Sequence, residues 1–491
     1  MNTEGQSRRT FLKAAVGALG AGILAACGGQ AAPPVSSEPT AAAPPVSSAP
    51  TAAAAPAAPT AAAEAPPAPT AAVVAAGLAG KEGVLWGLQY DPHVETYKRL
   101  AALFEKQTGA KLSVQPQEWP IETKVITAMA AGTAPDAACI MGKVLVPLWM
   151  RNAVTDLTPF YQEQGIDPVK AFFPDSIQCY SHDGKFWGVP TETGTVGWVV
   201  NVPVDDVEKA GLKDKYPPTN GKDQFDSYED MWQLAKALQT KDDAGNVTRW
   251  GISSKGWDSC TLLGIMHSLG VNWWDNDAKK FNFTTDAGIK AYQLHAETPV
   301  KMGIETELDQ NHVDAALAGK VALAKGNGTP WIEGKKLGYN FDLAVTPPVK
   351  PGEFPKMGGE GGWGFAGFSQ GKNKDVAHAF LKMMMTKEGQ HEWAKIYGGK
   401  ISALVALKDD LTIYTDENNK NGFLKLAKYP TLENTIYYGE GFGYESDMEK
   451  YVNGAASDIR SGKLNAEQAT QQVQQQMEAG YKQFQEDLKK V

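Results

Sequence analysis

From Val84 onward, apolar residues recur with two alternating periods. Val84-Leu85-Trp86 is a short strand-like run, and the next stretch sets Val94, Tyr97, Ala101 and Phe104 on one face at helical spacing. That helix is predicted to end at Gly109, a residue able to take the left-handed conformation of a C-cap. Lys111 to Gln115 alternates as a second strand, and Ile121 to Ala131 returns to the helical period. Pro135-Asp136-Ala137-Ala138-Cys139-Ile140-Met141 is a turn entering a buried strand. Strand-helix-strand-helix-strand order predicts an α/β fold, with mixed, mostly parallel sheets flanked by helices. Further helices are predicted at Tyr228–Gln239, Thr285–Glu297, Asp375–Met385, Gly389–Tyr397 and Ala466–Leu488; the last is glutamine-rich and amphipathic.

Ahead of Val84 the pattern is different. Gln30 to about Gly80 is nearly all Ala, Pro, Ser, Thr and Val, and it repeats APPVSSEPTAA from Ala32 as APPVSSAPTAA from Ala43. Such a composition cannot bury enough apolar surface to offset the entropy of ordering, so residues 27–80 are expected to form a disordered tether. Ser7-Arg8-Arg9-Thr10-Phe11-Leu12-Lys13 resembles a twin-arginine export signal, and Leu24-Ala25-Ala26-Cys27 resembles the bacterial lipobox. Residues 1–26 are therefore expected to be a cleaved signal and Cys27 the lipidated residue. The apolar run from Ala14 to Ala26 is about half a bilayer-spanning helix, and no other segment approaches about 18 apolar residues. The expectation is a chain that sits on a membrane without crossing it.

Composition narrows the partners. The 491 residues carry 47 Lys+Arg against 56 Asp+Glu, a net charge of −9, with no basic block outside the signal. Nucleic acid is not an expected partner. With Cys27 lipidated, Cys139, Cys179 and Cys260 cannot all pair within the chain, and buried unpaired thiols are the expectation.

Catalytic signatures are missing from the sequence. There is no GxSxG, no GxxxxGK[ST] and no HExxH, and the histidines lack metal-ligand spacing. Gly358-Gly359-Glu360-Gly361-Gly362 lacks the lysine of a phosphate loop and reads as a flexible turn. No cofactor, metal or catalytic residue is expected. What stands out is tryptophan, 13 in all, several at strand ends or in Gly/Pro-bounded loops: Trp86, Trp187, Trp257, Trp273, Trp274, Trp331 and Trp363. An indole can cover the apolar C–H face of a pyranose while nearby carboxylates and amides bind its hydroxyl rim. Each of these side chains is as readily a core residue.

Six segments in order resemble the family 1 extracellular solute-binding proteins of ABC importers, the group containing maltose-binding protein. They are VLWGLQYDPHVETYKRLAALFEKQTGAKLSV, TAMAAGTAPDAACIMG, SHDGKFWGVPTETGTVGWVVNVPVDDVEKAGL, GKVALAKGNGTPWIEG, FSQGKNKDVAHAFLKMMMTKEGQHEWAKIYGGKISA and IRSGKLNAEQATQQVQQQ. The resemblance implies a two-lobed periplasmic-binding-protein-like fold of type II, hinged between lobes, that closes on a ligand. Lobe one is expected from 81–192 plus 347–400, and lobe two from 193–346 plus 401–491.

Carried over by motif, Trp86, Gln89, Asp91 and Met141 would line the cleft from lobe one, Glu192 and Thr193 at the first crossing, and Trp257, Asp258 and Trp331 from lobe two. Trp363 and Tyr444 complete the set. Two positions depart from the family pattern: Val200-Asn201 replaces a frequent Tyr-Asn, and Trp363 stands where smaller residues are common. The implied role is that of a monomeric receptor, lipid-anchored to the outer face of the cytoplasmic membrane, delivering a sugar or oligosaccharide to an ABC permease. A receptor for a polyamine, glycerol phosphate or metal chelate, or a surface carbohydrate-active enzyme, are the alternatives.

Overall fold

Tyr97 lies across the first strand, and the sequence makes room for it. Strand β1 (Glu82–Leu88) buries Gly83, Leu85 and Gly87 on one side. A Cβ on Gly87 would stand 2.3 Å from the Tyr97 ring, so only glycine lets the phenol reach the Leu88 N–H at 3.1 Å. Tyr97 belongs to α1 (Asp91–Thr108), which starts with Pro92 in its first turn and stops at Gly109, φ 71°. Its buried stripe is His93, Thr96, Tyr97, Leu100 and Phe104; Val94 and Ala101 are only half-buried. Each fully buried aromatic of this kind contributes on the order of 2–3 kcal/mol.

The computed structural model describes residues 77–119, 121–182, 184–193, 199–275, 277–356, 358–359, 362–427, 436–437 and 445–490. The expected signal and nearly all of the tether, with Cys27, lie outside these residues, as does Tyr444.

After α1 come β2 (Lys111–Gln117), α2 (Ile121–Ala130), the fully buried β3 (Ala137–Met141) and β4 (Val189–Pro190). The chain then supplies a second set: β5 (Val199–Pro203), α3 (Tyr228–Leu238), β6 (Thr240–Lys241), β7 (Val247–Ser253), α4 (Asp258–Ser268), α5 (Asp286–Tyr292), β8 (Val321–Gly326), α6 (Thr329–Gly334) and β9 (Phe341–Val345). It returns through β10 (Trp363–Gly367), α7 (Lys374–Met384) and α8 (Lys387–Ala394), and ends in α9 (Glu417–Ala427), α10 (Glu445–Arg460) and α11 (Ala466–Leu488).

These strands form two five-stranded sheets, ordered β2-β1-β3-β10-β4 and β9-β5-β8-β7-β6. The pairs β1–β2, β1–β3 and β7–β8 are parallel. Sequence order predicts mostly parallel sheets, yet β10 and β5 run antiparallel to both of their neighbours. These are the strands by which the chain enters each sheet from the other one, so they arrive without the crossover helix that makes neighbours parallel.

Each sheet has its own core. One gathers Leu85, Phe104, Phe365, Phe380 and Trp393; Leu404, Leu407 and Ile413 also lie there, so this lobe keeps the chain past residue 400. The other gathers Trp232, Leu263, Tyr292 and Leu323 with Val452 of α10 and Val473 of α11. Cys139, Cys179 and Cys260 are buried thiols. Among the described residues no helix is long and apolar enough to cross a membrane.

Candidate ligand-binding cleft

The loops at the carboxyl ends of β1, β2 and β3, and of β7 and β8, converge on one cavity of about 460 Å³. Leu88, Tyr90, His93, Trp119, Met141, Lys143, Glu192, Trp363, Tyr397 and Lys400 border it from the first lobe. Val199, Trp257, Asn327, Thr329, Ile332, Glu333, Leu343, Phe423 and Leu426 border it from the second. A second cavity of about 580 Å³ shares Ile332, Glu333 and Tyr397 with it and continues past Glu95, Arg99, Lys336, Lys395 and Asp416.

The first-lobe wall is aromatic. Register in the sheet sets Trp363 opposite Met141. The Trp363 ring lies 5.1 Å from His93 and 6.4 Å from the exposed Trp119, both edge-on. His93 exchanges hydrogen bonds with the Tyr97 and Tyr397 hydroxyls, each at 3.1 Å. Burial, aided by the Lys400 charge, lowers its pKa to about 3, so the imidazole is neutral near pH 7. Tyr397 is held at φ 58°, a conformation rare for a non-glycine residue and often kept at functional sites.

Polar groups of the cleft are tied to one another. Glu192 Oε2 is 2.6 Å from Lys400 Nζ, and Glu192 Oε1 accepts the Trp363 N–H at 3.3 Å. Gly362 precedes Trp363 at φ 67°, and a Cβ there would stand 2.8 Å from Glu192 Cγ, so glycine is required on both counts. Among the described residues, polar contacts reach from one lobe to the other. Tyr90 donates its hydroxyl to Glu333 at 3.4 Å, and Lys143 Nζ pairs with Glu449 at 3.1 Å.

On the second lobe, Trp257 precedes α4, while Asn327–Thr329 follows β8. Asn201, which follows the departing Val200 and keeps the asparagine of the Tyr-Asn pattern, shapes that second loop. Its amide donates to the Ala324 and Asn327 carbonyls at 2.9 and 2.8 Å, and its oxygen accepts the Trp331 N–H at 3.0 Å.

Of the residues carried over from sequence, the structure sets Met141, Glu192, Trp257 and Trp363 on the cavity. The other described ones stand elsewhere. Trp86 spends its indole N–H on Gln115 at 3.0 Å, and Gln89 and Asp91 are exposed. Thr193 is buried, with its hydroxyl on Asp175 at 2.9 Å. Asp258 is buried against His295 and Arg460. Trp331 turns inward, 5.9 Å from the Phe423 ring and close over Gly422, so Phe423 and not Trp331 reaches the cavity. Trp187, Trp273 and Trp274 are buried in the cores.

The sequence reading left out Tyr90, His93, Trp119, Lys143, Asn327, Glu333, Tyr397, Lys400 and Phe423. For Trp119 a local signal existed, an indole followed by proline between a strand and a helix.

Two α/β lobes, each receiving one antiparallel strand from the chain's crossing, with a cavity between them, define the two-lobed binding-protein class. Residues 90–391 match the bacterial extracellular solute-binding protein family, and the chain belongs to it. No curated protein sequence matches the chain.

Among solved structures, it is similar to an ABC transporter solute-binding protein from Thermotoga lettingae bound with α-D-tagatose. That match has TM-score 0.64 and 18% identity, over 82% of this chain and 100% of that one. It is also similar to an ABC substrate-binding protein from Listeria monocytogenes in complex with cycloalternan (TM-score 0.63, 16% identity, 81% and 98% covered). The maltose/maltodextrin-binding domain from Bdellovibrio bacteriovorus bound to maltotriose is a third (TM-score 0.61, 16% identity, 81% and 99% covered).

Proposed function

We propose that this extracytoplasmic solute-binding protein is the substrate-binding component of an ABC importer, capturing a sugar or oligosaccharide between its lobes for delivery to the permease. The observation that carries the reading is the presence of indoles from both lobes, Trp257 and Trp363, on one cavity. Two aromatic faces suit the apolar faces of a sugar ring, while Glu192, Lys400, Asn327 and Thr329 offer donors and acceptors for its hydroxyls. The continuation of the cavity past Tyr397 leaves room for more than one ring.

The bordering acids argue against a polyamine. Glu192 is paired with Lys400 and Glu333 with Lys336, so neither offers an uncompensated negative charge. No covalent step is assigned to the cleft. Selectivity comes from stacking and hydrogen bonding, and the switch comes from the ligand's preference for the closed arrangement of the lobes.

Cys27 would carry the lipid anchor, and residues 27–80 would let the binding lobes range above the membrane while raising their effective concentration at the permease. Native mass spectrometry of protein purified from its source tests the ligand assignment. A retained hexose-based mass supports it; a retained polyamine or phosphorylated compound overturns it.

A further inference from the structure

Trp257 stands at the start of α4, a helix that has no cap of its own. Trp257 occupies the N-cap position at φ −133°, ψ 38° and makes no side-chain capping bond. The acceptor comes from another helix: Asn453 of α10 takes the Ser259 N–H at 2.9 Å. Two turns further along the same face of α10, Arg460 pairs with the Asp258 carboxylate, donates to Ser254 Oγ at 3.0 Å and lies 3.3 Å from Glu305.

The Asp258 oxygen is also 2.7 Å from His295 Nε2, and Lys325 Nζ is 3.2 Å from His295 Nδ1. All five of these ionisable side chains are buried. A buried ionic network adds little stability over an apolar one, but breaking it is costly, so it can hold a single arrangement. His295 enters it from a π-helical turn, Gln293–Glu297, a feature frequent at functional sites. One turn before Asn453, on the same face, Glu449 reaches Lys143 on the opposite wall of the cleft.

We propose that α10 is a positioning helix for the cleft, with Asn453 and Arg460 acting through the first turn of α4 to fix the indole of Trp257. The proposal rests on the reading of Trp257 as a sugar platform, yet its test needs no sugar. The full chain is labelled with fluorotryptophan, and the Trp257 resonance is assigned in Trp257→Phe.

In Asn453→Ala the Trp257 resonance is expected to shift or split while that of Trp393, in the other lobe's core, stays in place. Arg460→Lys, which keeps the charge and loses the forked geometry, is expected to do the same. It also keeps the test open should Asn453→Ala fail to fold. An unmoved Trp257 resonance in a folded variant overturns the proposal, and so does an equal displacement of Trp393, which would mark a general loosening. A sugar panel without a hit leaves this result standing, and an unmoved resonance leaves the sugar reading standing.

Discussion

Glu192 and Lys400 form an ion pair in the cleft wall, Oε2 to Nζ at 2.6 Å, with side chains only 6% and 19% exposed. The two are far apart in sequence, and the pair fixes the carboxylate whose other oxygen receives the Trp363 N–H. It thereby links the polar floor of the cleft to its aromatic wall.

Removing one partner of such a pair leaves a poorly solvated charge. Lys400→Met is expected to cost about 3 kcal/mol of unfolding free energy, measured in urea. The double variant Glu192→Gln, Lys400→Met is expected to recover most of that loss. A single variant as stable as the parent would show the pair to be energetically idle.

Trp119 and Trp257 separate binding from folding. Trp119 is 54% exposed, so Trp119→Ala should change stability by less than about 0.5 kcal/mol. Trp257 is half-buried against the second core, and Trp257→Ala should cost more. Both should weaken binding of a sugar by about tenfold or more, as loss of an aromatic anchor does. Calorimetric titration beside urea denaturation reads the two quantities independently.

The buried histidines make stability depend on pH. Burial, with Lys400 near His93 and Lys325 near His295, lowers both pKa values to about 3. In the unfolded chain each returns to about 6.5. Between those values the unfolded state binds protons that the folded state refuses, so stability is full above about pH 6.5 and declines as pH falls below it. Each histidine accounts for about 2 kcal/mol between pH 7 and pH 5. In His93→Gln the loss over that interval should shrink by that amount; an unchanged pH dependence would place the imidazole in solvent.

Cys27 is testable without the structure. Incorporation of labelled palmitate into the parent and its loss in Cys27→Ala, with release of the protein from the membrane fraction, is the expected outcome. A label retained in the variant would refute lipidation at this residue.

Much of the first lobe was legible in the sequence. Apolar periods and Gly109 marked β1, α1, β2, α2 and β3, and Ala466–Leu488 is helical from end to end. The stripe of α1 was harder to read because His93 and Thr96 are buried through hydrogen bonds, which a hydrophobic period does not record. Met141 and Glu192, which border the cavity, were carried over through the family resemblance of their segments. Tyr397, Lys400 and Phe423 were not, because they meet the cleft only after the chain has passed between lobes. Trp331 and Trp363 both stand beside glycine-rich runs, yet one packs over Gly422 and the other faces the cavity. Only the tertiary structure distinguishes them.

The most direct measurement is a tryptophan-fluorescence titration of the protein with a panel of monosaccharides and oligosaccharides, alongside the Trp257→Ala, Trp363→Ala double variant. At least one sugar is expected to shift the parent's emission in a saturable way, and that shift is expected to be lost in the folded double variant. A panel without any response, or a response that survives loss of both indoles, would contradict the sugar reading.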